Sequence, residues 1–202
     1  MPDCNKQKSS QMWDAFVKGD DNAFAALYFL HINSLLAYGR KITRDAELLH
    51  DCIQEIFLDI YEKREKDPVT INNPGGYLMV ALRNNLYKKI ERSRKPNLHE
   101  LTPIQVEEFI VEYSFQDTLI IREFNQELVD KIRIAIKNLS HGQKEVIYLK
   151  FEENLPYADI ARIMKITVES ARKQVHRAVI SLRKILEPKN LPTFFIFFLK
   201  KN

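Results

Sequence analysis

Residues Glu169, Ser170, Arg172, Lys173, Gln174, His176 and Arg177 alternate with the small or apolar Ala171 and Val175 at helical spacing. On a helix, that order turns Ala171 and Val175 inward and the polar set outward. Guanidinium and ammonium groups displayed this way can meet guanine edges or phosphates in a major groove, and imidazole and amide groups add hydrogen bonds. Thr167, just ahead of the run, suits an N-cap, and a helix begun there would aim its free amides at a phosphate. A helical hairpin of no function remains open at this point; the one-sided basic charge argues against it.

The elements needed to place that surface are short. A helix over Pro156–Met164 is separated from one over Val168–Leu186 only by Lys165-Ile166-Thr167. This connection is too tight for antiparallel packing and suits a near-perpendicular crossing, with Ile160, Ala161, Met164, Ile166, Ala171 and Val175 where the pair must touch. Upstream, Ser140-His141-Gly142-Gln143 reads as a capping box opening a helix over Gly142–Phe151. Before it, Leu119, Ile120, Phe124, Leu128, Val129, Ile132, Ile136 and Leu139 step at helical spacing from near Asp117. The expectation is a body of four helices, ended by Pro188.

A second helical body precedes it. Trp13, Phe16 and Val17, then Phe24, Leu27, Tyr28, Ile32, Leu35 and Leu36, mark two amphipathic helices divided at Gly19-Asp20, where Gly suits a left-handed C-terminal position and Asp the next N-cap. A third helix over Asp45–Lys63 buries Leu48, Leu49, Cys52, Ile53, Ile56, Phe57 and Ile60. Its Asp51, Gln54 and Glu55, at i, i+3 and i+4, share one exposed face. After a loop, Asn73 and Pro74 suit the N-cap and first position of a fourth helix, read over about Tyr77–Arg92. Pro96 breaks the pattern. The fold class expected is all-α: two small helical domains, 11–95 and 117–187, joined by a linker over 96–116 and followed by an apolar tail over 188–202.

Charge is segregated along this plan. Residues 45–67 hold eight acids and three bases, 83–95 six bases and one acid, 96–125 six acids and one base, and 168–186 five bases and one acid. Either basic helix alone could be a solvated face; two of them, each ending a helical domain and separated by an acidic stretch, favour a polyanion gripped at two places. Two cysteines, Cys4 and Cys52, make neither a disulfide framework nor a four-ligand zinc site, and five scattered histidines show no metal-ligand spacing, so neither metal nor cofactor is expected. No Gly-rich phosphate loop or nucleophile–base pattern points to an enzyme. The polar start Met1–Ser10 does not read as a secretory signal, and Phe194–Leu199 is too short to cross a bilayer, so a cytoplasmic protein with no stable membrane insertion is expected.

The run Leu155–Leu186 resembles region 4 of bacterial sigma factors of the extracytoplasmic-function type. Asp51-Cys-Ile-Gln54-Glu55-Ile-Phe57 is similar to that family's D-x-x-Q-E-x-F segment in region 2, and Tyr77-Leu78 with Ala81-Leu82-Arg83-Asn84 to its W/Y-L and A-R-N segment. The order and spacing of these motifs extend the resemblance over residues 11–95 and 117–187.

The resemblance implies a transcription initiation factor that recruits core RNA polymerase to promoter DNA, with an anti-sigma factor as antagonist. It implies that Asp51, Gln54 and Glu55 dock on the polymerase clamp helices, although a merely solvated acidic face remains an alternative for the residues taken alone. It places Asn84, with Tyr77, Asn85 and Lys88, at the surface that captures unstacked bases of the minus-ten element, and lets the loop Glu65–Gly75 hold a flipped base. Arg83, Lys89, Arg92, Arg94 and Lys95 would then meet phosphates, setting affinity rather than sequence choice. In region 4 the minus-thirty-five readers would be Lys150, Lys173, His176 and Arg177, foremost Arg177, with Arg172 nearer the backbone and Thr167 and Ser170 at the helix start. The acidic linker would thread toward the RNA exit path.

The sequence departs from the family at three places. Lys165 stands where Gly is frequent, which predicts a turn of altered shape because a left-handed non-Gly residue costs about 1 kcal/mol. Pro156 replaces a Ser or Thr cap, and Ala171 is smaller than the usual branched residue. The tail Phe194–Leu199 is read as folding back on a domain or capping a groove, with membrane or antagonist contact as alternatives. A stand-alone helix-turn-helix regulator with an N-terminal sensor body is the competing function.

Overall fold

A computed structural model describes the backbone of residues 2–64, 71–94, 109 and 126–186, and the side chains of these except residues 2–6, 94 and 126–129. The chain divides into two compact units, Met1–Ile110 and Val111–Asn202. All regular structure among the described residues is helical.

The first unit contains α1 (Pro2–Val17), α2 (Asp21–Ile42), α3 (Ala46–Lys63) and α4 (Pro74–Arg94). Helix α1 starts well before the expected position, with Pro2 pre-set for a first turn. Gly19, at φ +104°, ends the turn after α1, and the Asp20 carboxylate accepts from the Asn22 and Ala23 amides to open α2, as the residue types predicted. Asp45 caps α3 through the Leu48 amide. Asn73 Oδ1 accepts from the Gly76 amide and α4 begins at Pro74, as those two residue types indicated, one turn ahead of the apolar pattern. Helix α2 packs on α1, α3 and α4, and α3 packs on α4.

The core of this unit is built from Trp13, Phe16, Leu27, Leu35, Tyr38, Leu49, Ile53, Ile56, Leu78, Leu82 and Leu86. Leu48, expected in the α3 stripe, is only half-buried. Helices α2 and α3 meet closely at Gly39, where an added side-chain carbon would collide with the Leu49 methyl groups. Phe109, from the segment read as linker, is fully buried with its ring 6.2 Å from that of Tyr38. Burial pushes the Cys52 thiol up to about 11, which keeps it protonated and unreactive.

The second unit contains α5 (Gln126–Lys137), α6 (His141–Ile147), α7 (Tyr157–Met164) and α8 (Val168–Ile185), with α8 packed against the other three. The capping box is present in both directions: Ser140 Oγ accepts from the Gln143 amide and Gln143 Oε1 from the Ser140 amide. The helix expected to continue to Phe151 instead widens into a π-helical turn over Tyr148–Glu152, after which Asn154 takes a left-handed conformation. Pro156 precedes α7 without a side-chain cap, as its lack of a polar group requires. Lys165 corrects an expectation: it adopts the left-handed conformation, φ 56° and ψ 45°, that Gly would take, and donates its amide to the Ala161 and Arg162 carbonyls. The turn therefore keeps its shape, at the cost of strain in Lys165.

Residues 65–70, most of 95–125 and 187–202, which include Lys95, most of the flipped-base loop, Pro188 and the Phe194–Leu199 tail, lie outside the described residues, as does the Arg94 side chain. No described helix is long and apolar enough to cross a membrane.

Candidate nucleic-acid and docking surfaces

Helix α8 exposes the polar face that its sequence spelled out. Ala171, Val175, Ala178 and Leu182 are buried, while Arg172, Lys173, His176 and Arg177 are exposed. Thr167 Oγ1 accepts from the Ser170 amide at 3.1 Å and lies 2.8 Å from Ser170 Oγ, so both hydroxyls are engaged in the cap. Lys173 reaches back to Glu169 at 2.6 Å, an exposed i, i+4 pair of little strength. His176 and Arg177 have no hydrogen-bond or ionic partner among the described residues, which leaves their donors available. Gln174 corrects the reading of an outward set: it is half-buried, its Oε1 is buried without a partner, and that atom faces Gly142 at the start of α6.

Lys150, from the π-helical turn, meets that face beside Arg172. Its ammonium is 3.2 Å from the Leu155 carbonyl and 4.8 Å from the centre of the Tyr157 ring, and the Arg172 guanidinium approaches the same ring at 5.6 Å. One aromatic ring thus organises two cations at the start of α7, where Pro156 supplies no cap.

In the first unit α4 carries the other basic surface. Tyr77 is half-buried, its ring 5.7 Å from that of Trp13, so it braces α1 as well as bordering the surface. The Arg83 guanidinium stacks over Tyr87 at 4.5 Å. Lys88 and Arg92 are exposed. Asn84 is half-buried with its Oδ1 buried and without a hydrogen-bond partner among the described residues, a desolvation left uncompensated.

Asp51, Gln54 and Glu55 are all exposed along one side of α3, as their spacing requires. Glu55 is not simply solvated. Its Oε1 receives the Lys89 ammonium at 2.6 Å and its Oε2 the Asn85 amide at 3.0 Å. These hydrogen bonds hold the Glu55 carboxyl below its ordinary range and raise Lys89. Residues assigned separately to docking and to base capture therefore meet at one carboxylate.

The sequence reading missed a groove beside this face. Phe24 and Tyr28 of α2, with Gln54, Phe57, Leu58 and Tyr61 of α3, line an open apolar hollow of about 530 Å³. Leu58 is 61% exposed and nearby Phe29 on α2 73% exposed. The available signal was that Leu58 and Tyr61 are apolar yet fall outside the buried stripe of α3, next to Gln54.

Comparison with known proteins gives this geometry a context. Residues 27–95 match the family described as Sigma-70 region 2, and residues 130–182 match Sigma-70, region 4; together they cover more than half of the chain. The chain is 22% identical to the RNA polymerase sigma-H factor of Pseudomonas aeruginosa over 91% of its own length and 96% of the relative's. It is 25% identical to the ECF RNA polymerase sigma factor SigW of Bacillus subtilis, over 84% and 91% of the two chains. Among solved structures, CnrH in complex with the cytosolic domain of CnrY aligns with a TM-score of 0.54 at 16% identity, covering 89% of this chain and 97% of that one. The sigma factor RpoE of Bartonella quintana, in complex with the anti-sigma factor NepR, aligns with a TM-score of 0.55 at 20% identity, covering 82% and 97%. These structural likenesses show a shared fold.

Proposed function

Because the chain belongs to the sigma-70 family, among its extracytoplasmic-function factors, we propose that its first unit docks on core RNA polymerase and captures the melted minus-ten strand while its second unit reads the minus-thirty-five element. The chain is an RNA polymerase sigma factor, a transcription initiation factor rather than an enzyme. The observation that carries the reading is the presence of regions 2 and 4, in that order, on one chain of two compact units. A stand-alone regulator would need a sensor where residues 27–95 match region 2, and that reading is set aside.

Each surface has a role suited to its chemistry. The exposed Asp51, Gln54 and Glu55, with Leu58 and the adjoining apolar groove, offer anionic and greasy contacts to the polymerase. On α4 the half-buried Asn84, with Asn85 and Tyr77, belongs to the base-capture surface, and Arg83, Lys88, Lys89 and Arg92 neutralise phosphates. On α8 Arg177 and His176 address base edges, Lys173 adds a nearby charge, and Thr167 and Ser170 set the helix start against the backbone. Lys150 and Arg172, both on the Tyr157 ring at the start of α7, face phosphate rather than bases.

An anti-sigma factor covering these surfaces is the further partner, and the cytoplasm, where core polymerase works, is the place of action. The test is reconstitution. Purified chain added to core polymerase directs transcript starts at a common upstream motif; binding to duplex DNA without polymerase, with no change in start sites, would overturn the reading.

A further inference from the structure

The Glu55 carboxylate occupies both of its oxygens with donors from α4, and those donors, Asn85 and Lys89, are one helical turn apart on the same side of that helix. Each is a group that would otherwise serve single-stranded DNA: an amide for base edges and an ammonium for phosphate. Glu55 also belongs to the exposed side of α3 shared with Asp51 and Gln54. The same anion therefore cannot give its full charge to a polymerase cation and to Lys89 together.

We propose that Glu55 is a latch: in the free chain it withholds Lys89 and Asn85 from DNA, and engagement of its carboxylate by core polymerase releases them. This rests on the reading of α3 as the docking face. The pair is partly solvent-exposed, with side chains 27% and 52% accessible for Lys89 and Glu55. Exposed pairs of this kind contribute little to stability, so the latch opens readily and its consequence lies in which partner the charge serves. While it is closed, Glu55 cancels Lys89, and one fewer cation on α4 is available to displace counterions from DNA.

That difference has a specific signature. Releasing one lysine to a phosphate steepens the dependence of log affinity on log salt by about 0.7 for a single strand. A purely structural role for the pair changes folding stability and leaves this slope alone.

The test uses the full chain without polymerase, a fluorescein-labelled oligothymidine as probe, and four proteins: native, Glu55→Gln, Lys89→Ala and the double variant. The expected result is that Glu55→Gln binds several-fold tighter than native with the steeper salt slope, and that Lys89→Ala costs several-fold more in the Glu55→Gln background than in the native one. Binding seen only with Glu55→Gln supports the latch equally. Equal costs of Lys89→Ala in both backgrounds, or no gain from Glu55→Gln, would overturn it. Association of the native chain with core polymerase in the absence of DNA is measured separately, so a wrong docking assignment shows itself there and is not confused with a failed latch.

Discussion

Ser9 Oγ of α1 and His31 Nε2 of α2 lie 2.7 Å apart, in a site closed from the third side by Gly75 at the start of α4, where an added carbon would come within 3.0 Å of the imidazole. Burial drives His31 down to about 4, so the native unit holds it neutral. The unfolded chain takes a proton near pH 6.5, which the native state refuses until about pH 4. The contribution is therefore complete above pH 6.5 and is lost as pH falls toward 4, amounting to about 3 kcal/mol in all. The exposed Glu55 adds little in the same direction. Urea midpoints compared at pH 7 and pH 4 will show a smaller drop for His31→Gln than for the native chain; equal drops would sink the assignment.

Lys165 holds a left-handed conformation that favours Gly. Replacing it removes strain of about 1–2 kcal/mol and gives back part of that gain as extra freedom of the unfolded chain. Lys165→Gly is expected to stabilise the second unit by about 0.5–1 kcal/mol, read as a rise of a few degrees in its melting temperature. A fall in stability would mean that the Lys side chain makes a contact worth more than the strain.

What could be read beforehand follows the range of the forces involved. Asp20, Ser140 and Thr167 cap their helices through amides two or three residues away, so each cap was legible in a four-residue window, whereas Asp45, read only as the first residue of its helix, is the N-cap of α3. The Glu55 hydrogen bonds to Asn85 and Lys89 span thirty residues or more and depend on how α3 lies against α4, which periodicity does not encode. Gln174 reads as polar and hence outward, but α6 packs over it. The π-helical turn at Tyr148–Glu152 carries no residue type that marks it, and Lys150 was assigned by motif position although its long side chain curls onto Tyr157.

The apolar groove gives a docking prediction that is separable from folding. Leu58 is 61% exposed and borders the hollow between α2 and α3, so Leu58→Asp should leave stability within about 0.5 kcal/mol of native. If polymerase covers that groove, burying the new carboxylate weakens core binding by about 1–3 kcal/mol, an order of magnitude or more in dissociation constant. Pull-down of core polymerase at graded concentrations checks this. Unchanged binding would confine docking to the polar Asp51, Gln54 and Glu55 row.

Arg177 and Lys173 share the exposed side of α8 but differ in what holds them. Lys173 is paired with Glu169 at 2.6 Å, whereas Arg177 has no partner among the described residues. A guanidinium can grip a guanine edge with two hydrogen bonds; an ammonium acts chiefly as a point charge. Arg177→Ala is therefore expected to cost about 1–3 kcal/mol at the cognate minus-thirty-five sequence and little at a scrambled one. Lys173→Ala should weaken both sequences alike and reduce the salt slope by about 1. Holoenzyme binding to the two promoters across a salt series separates these outcomes. If Arg177→Ala lowered affinity equally for cognate and scrambled DNA, Arg177 would be a phosphate ligand and the base-reading role would pass to His176, which likewise has no partner among the described residues.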